Sequence, residues 1–369
     1  MTSIYIHIPF CERICFYCDF PKKVGKIEEI STYLHALKKE IEMYELPKII
    51  DTLYLGGGTP SILNDEQFEI LHSTIKKFTF STDYEFTIEC NPEHISIEKL
   101  QWFKRLGINR VSLGVQTFND KLLKLLNRKH NRDMVLNAVK LLKQEGFNNI
   151  SIDLIFALPL QTMEMLKTDL ATLLVLDVPH ISYYSLILEE KTIFDHWVRE
   201  GKLSLVDNEL EAAMYEEVIT TMRKHYHHYE ISNFAYPGYE SKHNKVYWKN
   251  QHYYGFGMGA SGYIDNVRYY NEDRVIRYLE KVSKKEHPIA HKDELTKADI
   301  IKEALLLGLR LIDGVNISEI NERYQVDVMT YFQEEFTILK KHGFIEISDN
   351  IRLTHKGLFY GNEVFSYFI

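Results

Sequence analysis

Short apolar segments alternate with helical segments over the first 190 or so residues, and this alternation constrains the fold more than any other feature. Runs rich in Val, Ile, Tyr and Phe recur at 4–8, 52–55, 84–89, 110–113, 149–155 and 181–186. The intervening segments place apolar residues at helical spacing, as in Leu34, Leu37, Ile41 and Tyr44. Because strands joined through helices pair in parallel, the pattern predicts an α/β fold built as a six-stranded partial (β/α) barrel.

Residues suited to chemistry follow these predicted strands. They lie at, near or just beyond the strand ends: Cys11, Gly56 to Gly58, Glu89, Gln116 and Asp153. In barrels of parallel strands, functional groups gather at the C-terminal edge of the sheet. We therefore expect these residues to share one site.

The remainder of the chain shows a different pattern. After about residue 207 we predict one long helix, a strand near 229–234 and an aromatic, glycine-rich loop at 243–263 that closes the barrel mouth. Beyond residue 290 we predict helices and a hairpin, at 295–311, 317–324, 329–342 and 344–347 paired with 351–354. The domain prediction is a barrel at 1–205, an extension with the aromatic loop at 206–290, and a small helical, winged-helix-like domain at 291–369.

The charge balance and the N-terminus narrow the range of functions. The net charge is -8, with 52 acidic and 44 basic residues and no basic block, which argues against nucleic acid as a partner. The longest apolar run, near 150–160, is interrupted by Asp153 and Pro159, so we expect no transmembrane segment. The first residues lack a basic stretch followed by a long apolar one, and we expect a cytoplasmic protein.

Three of the four cysteines lie together, directly after the first predicted strand. Cys11, Cys15 and Cys18 have the spacing C-x3-C-x2-C. Three thiolates on one short loop can ligate three irons of a 4Fe-4S cluster and leave the fourth iron open to another ligand. The spacing therefore predicts a cluster with a reactive iron.

Zinc binding and covalent haem attachment are the alternative uses of these cysteines. A structural zinc site needs a fourth ligand, for which His7, Cys90 or His94 are the candidates. Covalent haem attachment needs C-x-x-C-H, and Asp19 stands where that histidine is required. Zinc is therefore the alternative that stays open, while Cys90 by itself is typical of a packed thiol.

A glycine run follows the second predicted strand. Gly56, Gly57 and Gly58 lead into Thr59-Pro60-Ser61, and glycines there let backbone N–H groups approach a ligand. This run and the cysteine loop make the chain similar to the radical SAM (S-adenosylmethionine) group that contains oxygen-independent coproporphyrinogen dehydrogenase and the haem chaperones. The other matching stretches are Tyr5 to Cys11, Glu89 to Pro92, Gly114 to Phe118, Asn127 to His130 and Asp153 to Ile155.

The resemblance implies roles for individual residues. SAM contacts near the cluster are implied for Tyr5, Gly57, Gly58, Thr59 and Glu89. Residues implied to line the deeper barrel are Gln116, Arg128 and Asp153. Tyr17 and Ile187 stand at further contact positions of the family, where backbone or hydrophobic contact tolerates many residue types. A carboxylate and a guanidinium suit the ammonium, carboxylate and ribose of SAM.

Within this group, three features favour the chaperones over the dehydrogenase. The enzyme carries a further cysteine where this chain has Phe20, and it has a long segment before its first strand, which begins here by about residue 3. The stretch from His243 through Asn244 to Tyr247 and Trp248 matches the H-N-x-x-Y-W motif of the chaperones.

The function implied by this resemblance is haem binding, with delivery to apo-haemoproteins such as respiratory enzymes of the membrane. His243 is the first candidate for the haem ligand, Tyr247 and Trp248 are ligand or packing candidates, and the competitors are His225, His227, His228 and His252. The alternative is radical SAM oxidative decarboxylation of coproporphyrinogen III. Whether SAM is cleaved and whether the chain forms a homodimer stay open at this stage.

Overall fold

Parallel strands joined through helices make up most of the largest sheet of the protein. The computed structural model describes residues 1–369. The first half contains strands β1 (Ser3–Ile8), β2 (Phe10–Cys11), β3 (Lys23–Val24), β4 (Ile49–Gly57), β5 (Thr79–Cys90), β6 (Arg110–Gln116), β7 (Asn149–Phe156) and β8 (His180–Ser185). Its helices are α1 (Ile27–Glu42), α2 (Asp65–Ile75), α3 (Ile97–Leu106), α4 (Asp120–Leu125), α5 (Arg132–Gln144) and α6 (Met163–Leu176).

Six neighbouring strands of the sheet lie in the order of the chain. β1, β4, β5, β6, β7 and β8 pair in parallel with their neighbours. The edges of the sheet do not pair with each other, so the barrel is partial. This confirms the predicted α/β fold and the six parallel strands.

Local signals fix where the helices of this half begin and end. Asn64 caps α2 through a capping box with Gln67, as its sequence pattern predicts. Ser96 caps α3, and Gly107 ends that helix at φ 83°, a conformation that costs glycine little. Because the helices begin and end at these residues, the chain reverses direction into the next parallel strand. The C-terminal ends of the strands therefore lie at the same edge of the sheet.

The middle of the chain, 193–294, contains the long helix predicted after residue 207 but otherwise differs from its prediction. It contains α7 (Ile193–Arg199), α8 (Asn208–Met222), β9 (His227–Glu230), β10 (Asn233–Ala235), α9 (Lys242–Trp248), β11 (Tyr254–Phe256), β12 (Ser261–Ile264), β13 (Val267–Asn271), α10 (Val275–Ser283) and β14 (Ile289–Glu294). The single strand predicted near 229–234 is wrong, because β9 and β10 form an antiparallel pair that extends the sheet beyond β8.

The loop predicted at 243–263 is also wrong. Ser241 caps the short helix α9, and β11 then pairs in parallel with β1 at the opposite edge of the sheet. Strands β12, β13 and β14 form a separate antiparallel sheet. The segment therefore extends an edge of the barrel, because its backbone groups pair with β1 and with one another.

The last segment combines helices with a small sheet. It contains α11 (Lys297–Gly308), β15 (Val315–Asn316), α12 (Ile317–Tyr324), α13 (Val328–Tyr331), α14 (Gln333–Lys341), β16 (Ile345–Ile347), β17 (Asn350–Leu353), α15 (His355–Phe359) and α16 (Gly361–Ser366). The predicted hairpin is present as β16 and β17, with β15 as a third strand. The single helix predicted at 329–342 is wrong, because the chain breaks at Phe332 into α13 and α14.

One large hydrophobic core joins these segments, and a separate cluster of six buried residues packs α4 and α7. The large core contains 73 buried residues and extends from Ile4 in β1 to Phe368 after α16, so the three predicted segments pack on a common interior. None of the helices combines the length and the apolar character that a membrane crossing requires.

Candidate functional site

The cysteine loop lies at the C-terminal edge of the sheet, between β1 and the segment after α4. Cys11 ends β2 and is buried, whereas Cys15 and Cys18 are partly exposed. The loop is fixed by Phe16, whose N–H donates to the Leu126 carbonyl at 3.3 Å. A second tie comes from the amide of Asn127, which donates to the carbonyl of the residue before Cys15 at 2.9 Å.

The three cysteines line one cavity of about 160 Å³, here called the cluster cavity. Its wall also includes Tyr17 of the same loop and predicted site residues from five other segments: Gly57, Gly58, Thr59, Glu89, Gln116, Arg128 and Asp153. The structure therefore brings together every predicted cluster and SAM residue except Tyr5 and the more weakly implied Ile187. Tyr5 lies in the neighbouring cavity, where its hydroxyl is 3.0 Å from Nδ1 of His7.

Hydrogen-bond donors point at two of the cysteine sulfurs. Thr59 donates its hydroxyl to Cys11 Sγ at 3.5 Å, and Arg128 donates Nη1 to Cys15 Sγ at 3.4 Å. Burial raises the pKa of Cys11 to about 11, against which the Thr59 hydrogen bond acts. Metal ligation requires thiolates, so these donors stabilise the charged form that iron binds.

Glu89 and the glycine run form the side of the cavity next to β4. Glu89 accepts hydrogen bonds from the Gly57 N–H at 3.0 Å and from the Tyr54 hydroxyl at 2.9 Å. Burial raises the pKa of Glu89 to about 7, and the nearby Asp153 acts in the same direction. A cation that enters the cavity would stabilise the ionised form of this carboxylate.

Glycine is required at position 58 by close backbone packing. A Cβ there would lie 2.7 Å from the Phe10 carbonyl oxygen and 2.8 Å from its nitrogen. The Gly58 N–H donates to the Ile8 carbonyl and the Thr59 N–H to that of Phe10. The glycine run is thereby docked directly on the chain leading into the cysteine loop.

Arg128 joins the cysteine loop to two strand ends. Besides Cys15, its guanidinium donates to Asn91 Oδ1 at 2.7 Å and to the Gly114 carbonyl at 2.6 Å. Its Nε is buried and has no partner in the protein. Gln116, at φ 67°, likewise carries a buried Oε1 without a partner.

Asp153 lies deeper, within β7. It accepts hydrogen bonds from Ser112 at 2.8 Å and from Ser151 at 3.1 Å. Burial raises its pKa, and these hydroxyls act in the opposite direction. With Glu89 it gives the cavity two carboxylates, groups that accept hydrogen bonds from ammonium and hydroxyl donors.

The donor set fits a 4Fe-4S cluster with SAM better than zinc. Both ring nitrogens of His7 are engaged, by Tyr5 and by the Pro21 carbonyl. His94 is bonded to Ser61 through Nδ1 and has a buried Nε2 without a hydrogen bond, but it does not line the cavity that contains the cysteines. Cys90 is buried, and burial raises its pKa far above the ordinary value. No three His, Cys, Asp or Glu side chains are gathered tightly enough to hold a single metal ion, whereas a cluster ligated at separate corners needs more widely spaced thiolates.

The H-N-x-x-Y-W stretch forms helix α9, which packs on the N-terminal end of β4. His243 is 1% exposed, with Nδ1 2.8 Å from the Thr52 hydroxyl and Nε2 2.8 Å from the Tyr247 hydroxyl. Its backbone N–H donates to the buried Glu85. Burial lowers the pKa of His243 to about 3. Both ring nitrogens are thus occupied within the protein.

A second cavity of about 570 Å³, here called the motif cavity, lies beside α9. Its walls are rich in aromatic rings, including Tyr5, Tyr54, Tyr247, Trp248 and Tyr253. It shares Phe20 and Glu89 with the cluster cavity. The two cavities are therefore direct neighbours, separated by these side chains.

Sequence reasoning missed Tyr54 and Asn91 as parts of the site. Tyr54 holds Glu89, and strand alternation from Gly56 would have pointed it inward. Asn91 holds Arg128 and lies in the Glu89 to Pro92 stretch, so that motif carried the signal. The predicted competitors His225, His227 and His228 line none of the larger cavities, whereas His252 does.

The sequence is similar to known protein families and to individual proteins of known function. Residues 5–173 match the family model described as the radical SAM superfamily, and residues 295–360 match the HemN C-terminal domain. The chain is 42% identical to a heme chaperone HemW of Lactococcus lactis, covering 100% of this chain and 97% of the relative. It is also 42% identical to the HemW of Bacillus subtilis, over 100% of this chain and 99% of that one.

A solved structure resembles the whole chain. The coproporphyrinogen III oxidase HemN of Escherichia coli, described as a radical SAM enzyme, superposes with a TM-score of 0.87 at 25% identity. The match covers 100% of this chain and 89% of that protein.

Proposed function

This chain belongs to the HemW haem chaperone family of the radical SAM superfamily, and from that premise we propose that it binds haem as cargo and passes it to apo-haemoproteins. Membership of the superfamily implies a 4Fe-4S cluster and SAM. The haem, the acceptors and the residue roles that follow are parts of the proposal.

The observation that carries the proposal is the contact between the two cavities. The motif cavity has the volume and the aromatic walls of a site for a large, flat ligand. Trp248 and Tyr247 offer ring faces and edges for a macrocycle. Because Phe20 and Glu89 belong to both cavities, a ligand beside α9 lies next to the proposed SAM site.

In the cluster cavity, Cys11, Cys15 and Cys18 are the proposed iron ligands. Glu89 receives a cationic group of SAM, and Arg128 keeps the Cys15 thiolate and the strand ends in place. When bound, the cluster with SAM supplies one-electron chemistry. For haem binding, this chain supplies Glu89 and Phe20, which form the wall between the two cavities.

His243 acts as a positioning residue in this proposal. Its ring holds Tyr247 in place and anchors α9 to β4 through Thr52. Ligation of haem iron by His243 would break one of these buried hydrogen bonds, at a cost of about 1–3 kcal/mol. The acceptors that we propose are respiratory enzymes of the membrane.

Coproporphyrinogen dehydrogenation is the second candidate, and the likeness to the E. coli oxidase favours it. Against it, Phe20 occupies the position of the dehydrogenase's further cysteine, and its side chain is 62% exposed at the rim of both cavities. The 42% identical relatives are both haem chaperones.

The experiment is anaerobic. The reconstituted protein receives SAM, a reductant and coproporphyrinogen III, and porphyrin product and deoxyadenosine are followed together. We expect no sustained decarboxylation, while haem added to the same preparation binds stoichiometrically. Many turnovers of porphyrin product would establish the dehydrogenase instead, and failure to bind haem would refute the chaperone.

A further inference from the structure

Lys22 follows the cysteine loop and has no role in the site as described above. Its Nζ donates hydrogen bonds to the backbone carbonyls of Cys18 and Phe20, at 2.5 Å and 3.2 Å. The residue is partly exposed and lines the cluster cavity together with the three cysteines. These contacts hold a cationic group against the end of the loop that carries Cys18.

The cysteine loop also borders a further cavity of about 370 Å³, here called the outer cavity. Cys15, Cys18 and Lys22 line both this cavity and the cluster cavity. The exposed Phe20 does so as well. Lys22 therefore stands in the wall between the proposed cluster and the outer side of the loop, where water screens its charge only in part.

The other cationic side chains of the cluster cavity are engaged elsewhere or exposed. They are Arg13, Arg128 and Lys129. Lys129 forms an ion pair with Glu12 at 2.9 Å, and Arg13 is exposed to solvent. Arg128 donates to Cys15. Lys22 bonds only to carbonyl oxygens and forms no ion pair with a carboxylate, so its charge is left to act on the other two cysteines.

The effect of Lys22 on these cysteines has a definite direction. Burial raises the pKa of Cys11 and of Cys18, and the Lys22 ammonium acts against this rise at both. A positive charge that favours the thiolates also favours any further negative charge placed among them. Reduction adds one electron to a cluster held by these thiolates, and cluster potentials depend on the charges around the sulfurs. Lys22 therefore favours the reduced state.

We propose that Lys22 is a positioning residue that raises the reduction potential of the 4Fe-4S cluster and so makes the cluster easier to reduce. The inference rests on the proposed iron ligands Cys11, Cys15 and Cys18. In the reduction step, a low-potential one-electron donor supplies the electron and the cluster accepts it, while no bond or proton at Lys22 changes. The ammonium acts through its charge, at the place fixed by its two carbonyl hydrogen bonds.

The test uses the full chain with its cluster reconstituted anaerobically, without SAM or haem. Lys22→Gln removes the charge, and Lys22→Arg keeps it. Lys191→Gln is the matched control, because Lys191 is exposed and lines the outer cavity but not the cluster cavity. For each protein, iron and sulfide contents are measured, and a redox titration follows the electron paramagnetic resonance signal of the reduced cluster.

The comparison is made at the midpoint potential of the wild type, where half of its clusters are reduced. In Lys22→Gln, we expect the ratio of reduced to oxidised cluster at that potential to be about tenfold lower. Lys22→Arg and Lys191→Gln should keep the wild-type ratio within about twofold. Iron content should match the wild type in all three variants, because the thiolates and the loop contacts of Phe16 and Asn127 remain.

Three results would overturn the inference. The first is a wild-type ratio in iron-loaded Lys22→Gln. The second is loss of iron from Lys22→Gln, since Lys22 would then be needed to form the site and not to set its potential. The third is a shift in Lys22→Arg or Lys191→Gln as large as that in Lys22→Gln. If the wild-type protein itself takes up no cluster, the proposed iron ligands fail, and that outcome is distinct from these three.

Discussion

Substitution of Glu89 by Gln tests how the cluster cavity receives SAM. Glutamine keeps the size of the side chain. Its single carbonyl oxygen can accept from the Gly57 N–H, while its amide group donates to the Tyr54 hydroxyl oxygen in place of the carboxylate oxygen that accepted from it. It removes the negative charge, however, at every pH. The substitution therefore separates the charge of the carboxylate from its role in packing.

The magnitude follows from the pKa of Glu89, which burial raises to about 7. The ionised form, which binds a cationic group, is about one tenth of the population near pH 6 and about nine tenths near pH 8. Apparent SAM affinity of the wild type should therefore rise about tenfold over this interval. Since position 89 does not titrate in Glu89→Gln, the variant should lack the rise that Glu89 causes and bind more weakly at the upper pH.

The assay is equilibrium dialysis of SAM against anaerobically reconstituted protein at three pH values across this interval. Titration of SAM itself affects wild type and variant alike, so the informative quantity is the ratio of their affinities. We expect the ratio to increase about tenfold toward high pH. A ratio independent of pH would refute the argument that an ionised Glu89 receives SAM.

The other predictions concern packing and charge. Gly58→Ala should destabilise the fold by about 1–3 kcal/mol and reduce cluster incorporation, because the new Cβ would collide with the Phe10 backbone; urea unfolding and iron content measure both. Arg128→Met removes a hydrogen-bond donor to Cys15. Relative to the wild type, it should lower the iron content of the reconstituted protein more strongly than it lowers the melting temperature of the cluster-free protein. A loss of stability as large as the loss of iron would contradict this. Glu40→Gln removes a fully buried carboxyl group whose pKa burial raises from 4.5 to about 7. Such a group stabilises the fold below its unfolded pKa, and this contribution is lost as the pH rises through 7, so the free energy of unfolding of the wild type should fall by about 2–3 kcal/mol relative to the variant between about pH 5 and pH 8. Urea unfolding measures this difference, and parallel pH profiles of the two proteins would contradict it.

The six parallel strands and most of the cluster cavity could be predicted from the sequence because their signals are local. Buried strands carry runs of apolar residues, and the residues just after them are brought to one edge by parallel pairing. The capping box of Asn64 with Gln67 was equally local, and the structure contains it. Arg128 could be placed only through the family motif, since its partners Asn91 and Cys15 are distant in the chain.

The middle of the chain could not be predicted because its structure depends on distant pairing. Strand β11 has three residues and no alternation of its own, and it forms only because β1 offers an open edge. Helix α9 buries just His243 and Val246, so its sequence has no clear helical period. The buried Glu40, which is held by Tyr278, Asn271 and the Gly257 N–H, likewise gave no signal, because its partners come from elements far along the chain.

The claim that this protein carries haem to other proteins is tested most directly by the kinetics of haem transfer. Haem-loaded protein is mixed with the apo form of a haem-containing respiratory enzyme or with a general haem scavenger, and transfer is followed by absorbance. The account predicts that transfer to the respiratory enzyme speeds up with acceptor concentration and exceeds the rate to the scavenger. Equal rates set only by spontaneous haem dissociation would contradict it.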